Sequence, residues 1–147
     1  MASSHLVILK KPSLAAILDG RKQIESRFTR TRRPFLGRVE VGDRLFLKQS
    51  SGPVCGVAEV SAVKEFEALT HEKIYELKRK YNNEILGDDD YWQSKAECRY
   101  GMLVWLTDVG AIEPVRIDKK DWRAWVVLSD EKDFGLLRSG QGKQGIC

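Results

Sequence analysis

The sequence predicts an α+β fold: a small, partly closed β-barrel with a helix after the first strand and a helical insertion before the last strands. Three observations lead there. Five or six segments carry the alternating or β-branched and aromatic pattern of strands, some of them interrupted by glycine. Helical periodicity is confined to one early segment and one central insertion, too little strand–helix alternation for a doubly wound sheet. The chain has 147 residues and no internal repeat, which suits one domain around one core.

Taken in order, Leu6–Leu9 is a short apolar run that reads as the first strand. Ser13 is placed to cap a short helix, whose Leu14, Ile17 and Leu18 fall on one face, and Asp19-Gly20 ends it. Gln23–Phe28 then runs extended, and Thr29–Gly37 is a polar, basic loop. Arg38–Val41 alternates like a strand and turns at Gly42-Asp43 into the strand Arg44–Lys48. Val54–Val63 alternates again, with Gly56 allowing a bulge or a close approach. Thr70 is a plausible N-cap for a helix to about Asn83 carrying Ile74, Leu77 and Tyr81, and Asp88 or Asp89 starts a second short helix. Arg99–Thr107 and Ala124–Leu128 are the last strands, with the polar excursion Glu113–Asp121 between them.

The expected organisation is a leader at residues 1–5 without structural role, a domain at 6–128, and a polar, glycine-rich tail at 129–147. No apolar run approaches the roughly 20 residues that cross a bilayer, so no membrane partner is expected. Cys55, Cys98 and Cys147 form no C-x-x-C pair, which argues against a disulfide framework or zinc and for a reducing, cytoplasmic setting. The sequence offers no cofactor motif.

The net charge of +4 is unevenly spread: from Arg21 to Arg38 seven basic residues face one acid, Glu25. Such asymmetry fits either an anionic partner or a solvated basic loop. Within it, extended geometry places Glu25 and Arg27 on one face, with Lys22 approaching from the turn. Flanking cations favour the ionised carboxylate and can also meet phosphate; a structural ion-pair strip is the plainer reading.

The spacing Gly20-x-Lys22-x-x-Glu25-x-Arg27 resembles the G-x-K-x-x-E-x-R signature of ASCH domains, which belong to the PUA-like superfamily. The preceding helix and the segment Arg38–Leu45, similar to that family's strand–turn–strand, extend the resemblance over about Leu6 to Leu128. It implies a PUA-like barrel with a cleft beside the first helix, and a link to RNA binding, transcriptional coactivation, or hydrolysis of RNA or N4-acetylcytidine. The small amidohydrolases of the group use a Lys and a Thr. Lys22 matches the Lys, whereas Glu25 stands where they carry the Thr, and Ser26 should face the other way. If the protein is an enzyme, Glu25 acts as a base on water, with Lys22 and Arg27 stabilising the oxyanion.

Further ligand candidates are Arg30, Arg32 and Arg33 in the basic loop, Lys48 on a neighbouring strand, and Arg99 with Tyr100 at the start of a late strand. Trp105 and Trp125 read as core, and Trp122, beside Lys119 and Lys120, as a base-stacking candidate. Asp88–Asp90 reads as a helix start rather than a cation site, and His5 and His71 show no ligand or triad spacing, so no metal is expected. The leading reading is a module that binds RNA or a modified nucleobase through Lys22, Glu25 and Arg27. The alternatives are a ribonuclease or nucleoside hydrolase, and a protein-interaction domain of the coactivator kind.

Overall fold

The computed structural model describes residues 2–118, 123–129 and 132–137. Among the described residues, six strands form one mixed sheet: β1 (Ser4–Leu9), β2 (Ile24–Thr29), β3 (Arg44–Gln49), β4 (Val54–Phe66), β5 (Tyr100–Val115) and β6 (Trp125–Val127). Three helices accompany them: α1 (Lys11–Leu18), α2 (His71–Ile85) and α3 (Asp89–Lys95). The strand order is β2-β5-β4-β3-β1-β6, with β1 parallel to β3 and the other neighbours antiparallel. The two longest strands, β4 and β5, pair along most of their length and shift register three times. Such bulges bend a sheet, and this one curls into a half-barrel.

Alternation along the strands sorts the core. Val7 and Leu9, with Leu45 and Leu47, Ala58 and Val60, and Met102 and Val104, point inward and meet Leu14 and Ile17 of α1. On the opposite face of β2 and β5, Ile24, Phe28 and Leu103 pack under Ile74, Leu77 and Ile85 of α2 and Trp92 of α3. A third cluster, around Leu6, Phe46, Val54 and Val126, covers the outer side of β1, β3 and β6. Phe28 lies directly across from Gly101, where a Cβ would come within 2.6 Å of its ring. Glycine at 101 is therefore what lets the second core close.

Several expectations are corrected. The first strand begins at Ser4, and His5 is fully buried, so neither belongs to a leader. Ser13 does not cap α1: the helix starts at Lys11 with Pro12 in its first turn, where a missing N–H costs nothing. Arg38–Val41 is not a strand, because Asp43 folds it back, its carboxylate accepting from the Glu40 N–H while its own N–H donates to the Glu40 carbonyl. Trp105 is half-buried against Tyr81 rather than in the core. Beyond Leu128 the chain still packs, with Leu136 buried in the outer cluster. The predicted caps Thr70 and Asp88 are present, each accepting an N–H from its helix's first turn.

Candidate functional site

Helix α1 ends at Asp19, and Gly20 follows at φ +87°, a conformation that favours glycine. The chain then turns so that the Lys22 N–H reaches the Ala16 carbonyl and the Gln23 N–H the Glu84 carbonyl at the end of α2. From this anchored start β2 runs along the edge of the sheet. Its alternation puts Ser26 toward α3, where it shares a 2.6 Å hydrogen bond with the Tyr91 hydroxyl, and Glu25 and Arg27 on the other face. Burial pushes the Tyr91 hydroxyl well above its ordinary range, so it stays protonated.

Lys22, Glu25 and Arg27 form one continuous chain of charge. The Lys22 ammonium is buried, donates to the Ile85 carbonyl and lies 3.5 Å from Glu25 Oε1. Glu25 Oε2 accepts from Arg27 Nε at 3.0 Å and pairs with Nη2 at 2.9 Å. Arg27 Nη2 also donates to the Ile8 carbonyl of β1 at 3.0 Å, and its guanidinium lies 5.4 Å from the ring centre of Trp125 on β6. The two edges of the curled sheet, β2 and the β1–β6 side, are thus bridged by one side chain where no strand pairing joins them among the described residues.

The unclosed seam is a cleft of about 1200 Å³. Glu25 and Arg27 form one wall, Ile8, Arg123 and Trp125 the other, and Tyr91, Ser94 and Lys95 of α3 the far end. Its cations are Lys10, Arg27, Arg33, Lys95 and Arg123, against the acids Glu25, Asp88 and Asp90, so its lining is positive overall.

Of the sequence-stated candidates, Glu25, Arg27 and Arg33 line this cleft. Lys22 stands behind it. Arg30 is exposed outside the lining, and Arg32 is paired with Glu67 at 3.1 Å. Lys48 points with Phe46 to the outer face, where burial first and Arg116 second lower its pKa. Arg99 donates to the Leu69 carbonyl at a separate, smaller pocket, and Tyr100 packs on the inner core. Trp122, Lys119 and Lys120 lie outside the described residues. Sequence reasoning missed Lys10, Tyr91, Lys95 and Trp125 as cleft residues. Trp125 carried a β-strand signal only, and its place depends on pairing with a strand over 100 positions away.

No protein-family model matches the chain, and no curated protein does. Solved structures do. An ASCH protein from Zymomonas mobilis superposes with TM-score 0.69 at 16% identity, over 92% of this chain and 94% of that one. A single-substitution variant of that protein gives 0.70 at 18% identity, over 93% and 96%. The chain has an ASCH-type fold. The N-terminal domain of Staphylothermus marinus McrB is also similar in fold to this chain, with TM-score 0.55 and 15% identity over 95% of this chain and 94% of that domain.

Proposed function

We propose that this ASCH-type chain binds RNA, taking one nucleotide or modified nucleobase into the seam cleft. The observation that supports it is the state of Arg27. Its Nε and Nη2 are committed to Glu25 and Ile8, which fixes the guanidinium plane, and Trp125 backs that plane. Among the described residues Nη1 has no partner and remains for a ligand acceptor such as a base carbonyl or phosphate. Guanidinium planes held this way also stack on unpaired bases. Lys10, Arg33, Lys95 and Arg123 around the cleft supply phosphate contacts, and Glu25 serves Arg27 rather than the ligand.

The hydrolase alternative has Glu25 at the cleft wall in its favour, but both of its oxygens already face cations. Release of product from RNA or N4-acetylcytidine by wild type and not by Glu25→Gln would establish it. The interaction-module alternative has less to work with: among the described residues the large exposed apolar side chains are Val41 in the loop before β3, Tyr75 on α2 and Leu86 at the C-terminal cap of α2. A cytoplasmic setting belongs to the same proposal, with Cys55 and Cys98 as free thiols.

Filter retention of a single-stranded RNA is the test. Arg33→Glu and Arg27→Gln each weaken retention at least tenfold, and Arg32→Glu weakens it less. Equal retention by all three variants and wild type would sink the proposal.

A further inference from the structure

Behind the cleft, a second polar line runs into the core. The Asp43 carboxylate accepts from the Ser3 N–H at Oδ1 and from the Glu40 N–H at Oδ2, each at 2.9 Å, and so is held in one orientation. Its Oδ2 lies 2.8 Å from Nε2 of the fully buried His5. On the other side of the imidazole, Trp125 Nε1 is 3.1 Å from His5 Nδ1. An indole nitrogen can only donate, so Nδ1 must accept and carries no proton. The ring is therefore neutral with its proton on Nε2, donated to Asp43. Trp125, gripped at its N–H, sits edge-on to His5, tilted against Phe35, and beneath the Arg27 guanidinium.

We propose that His5 is a positioning residue of the cleft: oriented by Asp43, it fixes the Trp125 indole and through it the Arg27 guanidinium that a ligand meets. The ligand part of this inference rests on the proposed RNA-binding function; the coupling of His5, Trp125 and Arg27 does not. Among the described residues, no neighbour of Trp125 other than His5 takes its indole proton. Protonating His5 would place a hydrogen on Nδ1, facing the indole N–H, and remove the acceptor. The groups around the imidazole are Asp43, which favours its cation, and Arg38, which opposes it, with Trp125 between it and Arg27. Burial, the largest influence, lowers its pKa below the ordinary 6.5, so the positioning form is the one present at neutral pH.

The test uses protein labelled with ¹⁵N at tryptophan and arginine, the Trp125 indole and Arg27 Nε resonances being assigned by their loss in Trp125→Phe and Arg27→Gln. His5→Asn keeps an acceptor near the Nδ1 position, whereas His5→Gln reaches toward Asp43 and gives up the indole. Wild type and His5→Asn should show a downfield, slowly exchanging Trp125 indole proton. In His5→Gln that proton should move upfield and exchange at least tenfold faster, and the Arg27 Nε resonance should move with it. Affinity for single-stranded RNA should fall about tenfold in His5→Gln and recover in His5→Asn. Identical spectra for the Asn and Gln variants, or an Arg27 resonance that ignores both, would overturn the inference. The expected spectra without RNA binding by wild type would keep the positioning role and remove the RNA reading. If neither variant folds, acidification of wild type decides. The two resonances should move together with one midpoint below pH 6.5, and movement of only one, or of neither, overturns the inference.

Discussion

Glu25 is where the electrostatics of the molecule concentrate. It is nearly buried between Lys22 and Arg27, and a buried carboxylate with two cationic partners is costly to neutralise, because both are left uncompensated. Glu25→Gln should therefore cost about 3 kcal/mol of stability in urea unfolding. Lys22→Met and Glu25→Gln combined should cost less than the sum of the two, since the second change removes a charge the first stranded. Strict additivity in that double-mutant cycle would mean that the Lys22–Glu25 pair carries no coupling. Asp43 and His5 set a pH dependence. Burial alone would raise Asp43, but hydrogen bonds from His5 and from the Glu40 and Ser3 backbone bring it below its ordinary value. His5 is lowered by burial against the pull of Asp43. In both cases the unfolded chain binds the proton more readily, so stability rises with pH. The His5 contribution is complete above pH 6.5 and is lost as pH falls through its folded pKa; the Asp43 contribution is lost further down, below 3.8. Stability measured between pH 7 and pH 4 should fall on acidification, and fall less steeply in His5→Asn, which has no imidazole to protonate.

At the scale of elements, β2 decides whether there is a site. Its inner face carries Glu25 and Arg27 and its other face packs Ile24 and Phe28 under α2 and α3, so the strand cannot slip one residue without exchanging charge for core. The close seat of Phe28 on Gly101 pins the same register. Gly101→Ala should cost about 1–3 kcal/mol, read as a lowered urea midpoint, because the added methyl has nowhere to go. An unchanged midpoint would show that the second core is looser than its geometry. This level was largely legible in the sequence: alternation alone put Glu25 and Arg27 together and Ser26 opposite. Where reading failed, a longer-range contact overrode the local pattern. Arg38–Val41 alternates, yet the Asp43 carboxylate turns it into a loop. His5 looked like part of a leader because its partners are Asp43 and Trp125, 38 and 120 positions away. Lys22 matched a signature position, but nothing local reveals that the end of α2 caps its ammonium.

At the scale of the whole molecule, the site is a consequence of incomplete closure. A fully paired barrel would have no seam. Here β2 and the β1–β6 side face each other across a cleft that Arg27 spans, and the other cations around it come from Lys10 just before α1, the basic loop, α3 and the stretch before β6. Binding by phosphate contact predicts a salt dependence of about −0.7 in log affinity per log salt for each contact to single-stranded RNA. Lys10→Gln with Arg33→Gln should thus flatten the slope by about 1.4, measured by titration at several salt concentrations. The most direct measurement is an NMR titration of uniformly ¹⁵N-labelled protein with a short single-stranded RNA, following the Arg27 Nε, Trp125 indole and backbone resonances. Shifts centred on the seam, at Arg27, Trp125, Arg33 and Tyr91, and abolished by Arg27→Gln are the predicted result. Shifts centred instead on the outer face around Lys48 and Phe46, or on α2, would contradict it.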